Sequence, residues 1–297
     1  MSLPAVSVVV PTYNGSHLLK KHIPALLQAM RESDELILVD DASTDNTKTW
    51  IAEELSGKTV VQPNWHSTTR TANSEDVIVT VGKLHGKRTL YLRLKKNVRF
   101  AVAVNTGVAL AGNPLVFLVN NDVAVKEYTL KRLAERFHLD GTGSLFAVGC
   151  LEIEGSSGQI GGKNTLRFER GLFQHSRATD FSSGPTAWAS GGSAMFSVEK
   201  WLELGGFDPR FYPAYWEDVD LSFRARKLGW RVEFNEEAVV EHLHETTNST
   251  VFGAKKLQRQ SFKHQRLFTQ LHATIGQRLL YYLWWPYWRV VMRRVWS

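Results

Sequence analysis

Residues 114–123 read P-L-V-F-L-V-N-N-D-V, and the fold follows from how this stretch is read. Leu115 to Val119 form an apolar run of strand length, the pattern of a strand buried on both faces. The run stops abruptly at Asn120, Asn121 and Asp122. Open α/β sheets bind their ligands beyond the carboxyl ends of their strands, where Asp122 would stand. Ordinary turn chemistry is the competing reading, because Asn and Asp bond their own backbone and tolerate left-handed conformations.

The residues N-terminal to this stretch supply the rest of a sheet. Val6 to Val10 is a second apolar strand, closed by Pro11, Thr12, Tyr13, Asn14 and Gly15. His17 to Met30 has helical spacing through Leu18, Leu19, Ile23, Leu26, Leu27 and Met30, with Ser16 as its N-cap and Pro24 disturbing its first turns. Glu35 to Val39 is the next strand, and Asp40 to Asp45 lead into another helix. Strand, helix, strand, helix is the opening of a parallel sheet with right-handed crossovers. At such an edge an Asp carboxylate suits a nucleobase N–H or ribose hydroxyls, and a helix N-terminus suits phosphate. Helix capping accounts for Asp45, whereas Asp40 and Asp41 side by side exceed what one cap requires.

The chain has 297 residues, 43% of them hydrophobic, enough for one large domain or one domain with an appendage. Its one cysteine, Cys150, excludes an internal disulfide framework and reads as a small core residue in a reducing compartment. The start, M-S-L-P-A-V-S-V-V-V-P, lacks a basic region ahead of a long apolar run, and no stretch reaches spanning length, so a cytoplasmic location is expected. Charge is uneven. Lys255 to Ser297 hold nine Lys and Arg and no Asp or Glu, so the formal +7 divides into +9 for this segment and −2 for the rest.

V-S-V-V-V-P-T-Y-N at 6–14, V-D-D-A-S-T-D-N-T at 39–47 and N-T-G-V-A-L-A-G-N-P-L-V-F-L-V-N-N-D at 105–122 resemble the family 2 glycosyltransferases of GT-A fold, with the motifs in that family's order over most of the first 245 residues. The resemblance implies a single Rossmann-like, mostly parallel α/β sheet flanked by helices. It also implies a nucleotide-diphosphate sugar as donor, with Pro11, Thr12, Tyr13, Asn14, Asp41, Ser43, Arg99, Asn105 and Asn121 beside it. Arg99 stands where the family's pattern usually has Gly. The family's acidic metal motif becomes Asn120-Asn121-Asp122, in which Asp122 offers a charged oxygen and Asn120 a neutral one to Mn²⁺ or Mg²⁺. His242, at the end of a late strand, matches the family's last metal ligand, with His244 in reserve.

Between these motifs, Val77 to Val81 and Thr89 to Leu94 read as a β-hairpin around Gly82 to Lys87. Ala101 to Ala111 reads as a buried helix. The Gly- and Ser-rich residues 141–190 read as loops that line an acceptor groove or simply turn at the surface. Gly191 and Gly192 allow either close approach to an acceptor or a tight packing turn. In Y-W-E-D-V-D-L-S-F-R at 215–224, helical spacing pairs Asp220 with Arg224, and an acidic helix N-terminus alone would explain two carboxylates. The resemblance identifies Glu217-Asp218 with the family's Glu-Asp motif, making Asp218 the base and Glu217 an aid to acceptor orientation. Trp216 and Tyr215 are placed either against a sugar or in the core. Val232 to Phe234 and Ala238 to Val240 read as two short strands.

Residues 251–297 are read as a separate helical, basic and Trp/Tyr-rich segment following a catalytic domain at 1–250. Leu267, Leu271, Ile275, Leu279 and Leu283 predict one amphipathic helix ending before Pro286. The Y-Y-L-W-W-P-Y-W-R-V-V-M-R-R-V-W that includes its end suits a membrane interface, with docking onto the body or a second copy as alternatives. No nucleic-acid motif accompanies the charge, and nucleic acid is not expected as a partner. The N-N-D and Y-W-E-D forms most resemble bacterial rhamnosyltransferase-like enzymes. They imply an inverting transferase that moves a sugar from dTDP-rhamnose or a UDP-sugar to a glycan or lipid-linked glycan acceptor of the cell surface, peripheral on the cytoplasmic face of the membrane. A polyprenyl-phosphate glycosyl transferase and an inactive nucleotide- or glycan-binding protein are the alternatives.

Overall fold

The computed structural model of the protein describes residues 2–62, 65, 70–155, 157–242 and 254–296. β1 (Val6–Thr12), α1 (Ser16–Ala29), β2 (Glu35–Asp40) and α2 (Thr47–Glu54) alternate as the apolar periodicity predicts. An exposed β3 (Ser56–Val61) precedes the hairpin of β4 (Val77–Leu84) and β5 (Lys87–Leu94), which turns on His85 and Gly86, both at positive φ. That is the backbone a two-residue turn needs to match strand twist. α3 (Arg99–Ala109) then leads to β6 (Leu115–Val119).

β6, β1, β2 and β5 form a parallel block at the centre of a twelve-stranded mixed sheet. The alternation of side chains along these strands feeds two cores. Val8, Val10, Leu36, Leu38, Phe117 and Val119 meet α1 on one face, while Val9, Ile37, Val39, Val116 and Leu118 meet α3 on the other. Each such side chain contributes about 1.5–3 kcal/mol when fully buried, which is why the strand at 115–119 needs no polar face. α3 lies close on the sheet because Gly107 has no side chain; a Cβ there would come within 2.8 Å of both Val9 and Val39.

Beyond β6 the chain forms β7 (Val123–Val125), α4 (Thr129–His138), β8 (Leu145–Glu154) and β9 (Ile160–Gly161). β10 (Asn164–Glu169) and β11 (Leu172–Arg177) make a second hairpin, and β12 (Gly184–Pro185) adds a sheet edge. About half of residues 141–190 is therefore strand where composition pointed to loops. Glycines and serines mark their turns, and the apolar face of the β10–β11 hairpin is covered by a helix far along the chain, which local composition does not reveal. Cys150 lies fully buried in β8, its thiol pushed well up by desolvation.

β13 (Ser193–Ser197) runs antiparallel between β6 and β8. α5 (Val198–Glu203), α6 (Glu217–Lys227) and β14 (Arg231–His242) follow. β14 is one strand with a shift of register between Asn235 and Val239, not the two short strands expected.

The C-terminal segment forms two helices, α7 (Ala254–His272) and α8 (Ile275–Trp296). The single stripe expected from Leu267 to Leu283 is divided. Leu267 and Leu271 pack on the body with Phe268, whereas Leu279 and Leu283 face outward. Between the helices the Thr274 amide donates to Gln277 and the Gln277 amide to Thr274 Oγ1 (2.9 and 3.3 Å), a reciprocal cap that starts α8. α8 also runs through Pro286, where it was expected to end. The backbone bond lost there is the one that would reach the Tyr282 carbonyl. The expected boundary at residue 250 lies outside the described residues, and α7 packs against residues of the preceding 250. No helix among the described residues is long and apolar enough to cross a membrane.

Candidate active site

Parallel register sets Thr12 beside Asp40, so the loops after β1 and β2 meet at one sheet edge. They are stitched together by the residues expected to bind a donor. Asn14, at φ 51°, accepts the Thr44 amide at 2.8 Å, and its own amide donates to Ser43 Oγ at 2.9 Å. Asp45 accepts the amides of Thr47 and Ser16, which confirms its capping role. Gly15 holds the N-cap position of α1 and Ser16 is its first residue, so Ser16 is capped by Asp45 rather than capping. Pro11 and Tyr13 flank this stitched loop, and Tyr13 is exposed.

The two adjacent carboxylates have different tasks. Asp40 is sealed below the edge, accepting the Ser43 amide and the Tyr91 hydroxyl at 2.8 and 2.7 Å. Asp41 accepts the Val98 and Arg99 amides at 2.6 and 2.8 Å, tying the start of α3 to the β2 loop. Burial raises its pKa against the pull of those amides. Arg99 sits at φ 70°, the left-handed conformation that the family's usual glycine adopts without strain. Its guanidinium donates to the Tyr212 hydroxyl at 3.1 Å and lies over that ring. Asn105 faces inward instead of toward a donor. Its amide brackets Phe207 through both N–H and C=O and also donates to the Arg70 carbonyl.

At the tip of β6, Asn121 donates to Thr12 Oγ1 at 2.9 Å. Asn120 lies against Gly192, where an added Cβ would come within 2.5 Å of its amide, so Gly192 is the packing glycine of the two readings. β7 and β14 pair Val123 with His242, which brings the imidazole next to Asp122. The two meet at 3.3 Å, Nε2 to Oδ1. Burial works against the imidazolium, but the hydrogen bond and charge of Asp122, with Glu152 and Glu154 nearby, outweigh it and raise the pKa of His242. His244 lies outside the described residues.

Glu217 and Asp218 open α6 after a bent approach, with Tyr215 and Trp216 both at φ 79°. Two such residues in succession cost of order 1–3 kcal/mol each, and α7 holds them. Neutral His264 donates from Nδ1 to the Tyr215 carbonyl at 2.9 Å, its charged form disfavoured by burial. Gln260 bridges His264 and the Tyr212 carbonyl, and Trp216 donates its indole N–H to Ser261. Trp216 is buried among Phe268, His175 and Val219, so of the two readings it takes the core. Asp220 pairs with Arg224 at 2.8 Å as helical spacing predicts, and also with His272 of α7 at 2.7 Å.

Asp218 accepts the Gly191 amide at 3.3 Å and its neighbour's amide at 2.8 Å. Desolvation dominates those bonds, with the charge of Glu152 adding to it, and pushes the Asp218 pKa up to about 6. Desolvation, then the charge of Asp218, also lifts Glu217 well above the usual carboxyl range. One Glu217 oxygen is buried without a hydrogen-bond partner among the described residues. Sequence reading missed Glu152 and Ser193, which hydrogen-bond each other behind Asp218 and His242. The only signal was a carboxylate alternating outward on an otherwise apolar strand, L-E-I-E.

The family model for glycosyltransferase-like family 2 matches residues 4–262. The chain belongs to that family. Its GT-A fold is also that of the mannosyltransferase PcManGT from Pyrobaculum calidifontis, solved with GDP-Man and Mn²⁺ (TM-score 0.58, 17% identity over 90% of this chain and 65% of that one). GalNAc-T7, solved with UDP, GalNAc and Mn²⁺, is similar at TM-score 0.57 and 18% identity, over 82% of this chain and 44% of that one. The chain thus spans less than two thirds of either glycosyltransferase's length. No curated protein matches it by sequence.

Proposed function

We propose that the protein is an inverting glycosyltransferase that uses a nucleotide-diphosphate sugar. The observation that carries this reading is Asp218, a base with its pKa near 6 beside the buried Glu217 carboxyl, at the sheet edge that also gathers Asp122 and His242. Family membership supports the reaction class. Asp218 takes the proton of the acceptor hydroxyl as its oxygen attacks the anomeric carbon, and the bond to the diphosphate oxygen breaks on the opposite side. Such base assistance accelerates transfer by about 10²–10⁴-fold. Glu217, kept protonated by its surroundings, donates to or accepts from the acceptor and orients it.

The residues fit a divalent cation, Mn²⁺ or Mg²⁺, through Asp122 and His242, a hard oxygen and an imidazole already in contact. Among the described residues no third His, Cys, Asp or Glu joins them, so diphosphate oxygens, water and the neutral Asn120 would complete the shell. The metal would offset charge on the departing diphosphate. Thr12, Asn14, Asp41, Ser43 and Asn121 shape the loops in which the nucleotide would lie, with Pro11 and Tyr13 at the rim and Arg99 toward phosphate. Gly191, whose amide already holds Asp218, borders the acceptor. dTDP-rhamnose or a UDP-sugar is the donor in this reading, and a glycan or lipid-linked glycan of the cell surface the acceptor, at the cytoplasmic face of the membrane.

Asp218→Asn keeps the shape and removes the base. It is expected to lower transfer at least a hundredfold while nucleoside diphosphate binding, read by calorimetry, is unchanged. Transfer at the parent rate by this variant refutes the assignment.

A further inference from the structure

α8 has two unlike faces. Inward, Tyr281 is buried with Leu172 and Phe262, Trp288 donates its indole N–H to the Arg170 carbonyl at 2.7 Å, and the Arg266 guanidinium lies 4.2 Å from the Trp285 ring centre. Outward, Ile275, Leu279, Tyr282, Leu283 and Val290 are 82, 63, 71, 75 and 52% exposed. Helical geometry aligns these five along one stripe about four turns long. Scattered apolar residues on a surface are ordinary, but a continuous stripe marks an interaction site. Exposed Arg278 and Arg289 flank it, and the sequence from Lys255 onward contains no acid.

We propose that α8 is a rigid foot that seats the protein on an anionic lipid surface. The helix lies in the plane of the interface with the stripe inserted, and Tyr287 borders it at headgroup depth. Charge selects lipid over a second copy of the chain. Two stripes face to face would bring two segments of formal charge +9 together with no acid in either to offset them, whereas anionic headgroups attract each Arg and Lys.

The foot is rigid because its inner face is locked. Arg170, at the turn of the β10–β11 hairpin, donates to the Tyr287 hydroxyl at 2.9 Å, and α7, joined to α8 by the reciprocal cap at Thr274, holds the approach to Glu217 and Asp218. The base therefore stands at a fixed height above the lipid. Where the function proposed above holds, a lipid-linked acceptor would meet it there without any motion of the tail.

Cosedimentation with vesicles of phosphatidylcholine, with and without phosphatidylglycerol, tests the foot. The expected result is binding to the mixed vesicles that weakens as salt rises, little binding to phosphatidylcholine alone, and Trp fluorescence quenched by brominated acyl chains. Leu279→Ser combined with Leu283→Ser is expected to lower partitioning roughly ten- to a hundredfold, with an unchanged melting temperature showing that the variant is folded. Equal partitioning of variant and parent overturns the proposal, as does equal binding to both vesicle types. A dimer in sedimentation equilibrium that ignores vesicles and is dissolved by the double substitution overturns it in favour of a second copy. Turnover with a soluble acceptor, followed in the same preparations, is expected to be the same in parent and variant. Its absence from both would count against the transferase reading and leave the vesicle result standing.

Discussion

Asp218 and Glu217 share one desolvated corner, so their titration belongs to the pair. A base works deprotonated, and with the Asp218 pKa near 6 transfer should fall as pH drops below about 6, approaching tenfold per unit. A pH profile of kcat/KM checks this. Glu152→Gln removes a charge that raises the Asp218 pKa and should move that limb to lower pH. Arg99 makes a second residue-scale prediction. Its φ of 70° costs of order 1 kcal/mol that glycine would not incur, and its contact with Tyr212 is at the exposed surface. Arg99→Gly should therefore raise stability by about 1 kcal/mol in urea denaturation, with weakened donor binding if the cation serves phosphate. Asp122 was legible from its place just past a buried strand, whereas Asp218 and His242 were singled out by the resemblance of their motifs to the family's. The sequence could not display that Asn105 turns inward, because a helical amide shows its direction only once Phe207, about a hundred residues later, has packed against it.

The elements that were legible are those whose periodicity is satisfied locally. β1, β2, β6 and α3 announce themselves because both faces of the strands and one face of the helix meet apolar neighbours. The β10–β11 hairpin was hidden because it is stabilised by residues about a hundred positions further along the chain. Phe173 of β11 meets Phe268 of α7 edge to face, and the Phe173 amide donates to Thr269. The T-I-G-Q cap at 274–277 was a readable stop that the regular Leu spacing outweighed. α7 also braces the left-handed Tyr215-Trp216 approach to α6, so in the proposed mechanism damage to it should reach the chemistry. Phe268→Ala, at a fully buried site, should cost about 3–5 kcal/mol in denaturant titrations. Under conditions where the variant is still folded, kcat should fall more than KM changes, because the base is misplaced and not the donor loops.

At the scale of the whole molecule, the two halves of the sheet divide the labour. The parallel half carries the stitched loops of β1 and β2, and the mixed half carries β8, β13, β14 and the acids they align. Asp122 lies at their junction, just beyond β6. A nucleoside diphosphate that binds there should stabilise both halves together. In a thermal-shift series with UDP, GDP, dTDP and CMP, one diphosphate at a hundred times its Kd should add about 2.7 kcal/mol in the presence of Mn²⁺, and Asp122→Ala should abolish the gain. Cys150 has a practical consequence of another kind. A single thiol, sealed in β8 and held protonated, leaves the surface silent toward maleimides and nitroxide reagents. A cysteine introduced at one chosen position would be the one reactive thiol, so a spin label or fluorophore can be placed in the native background without first removing anything.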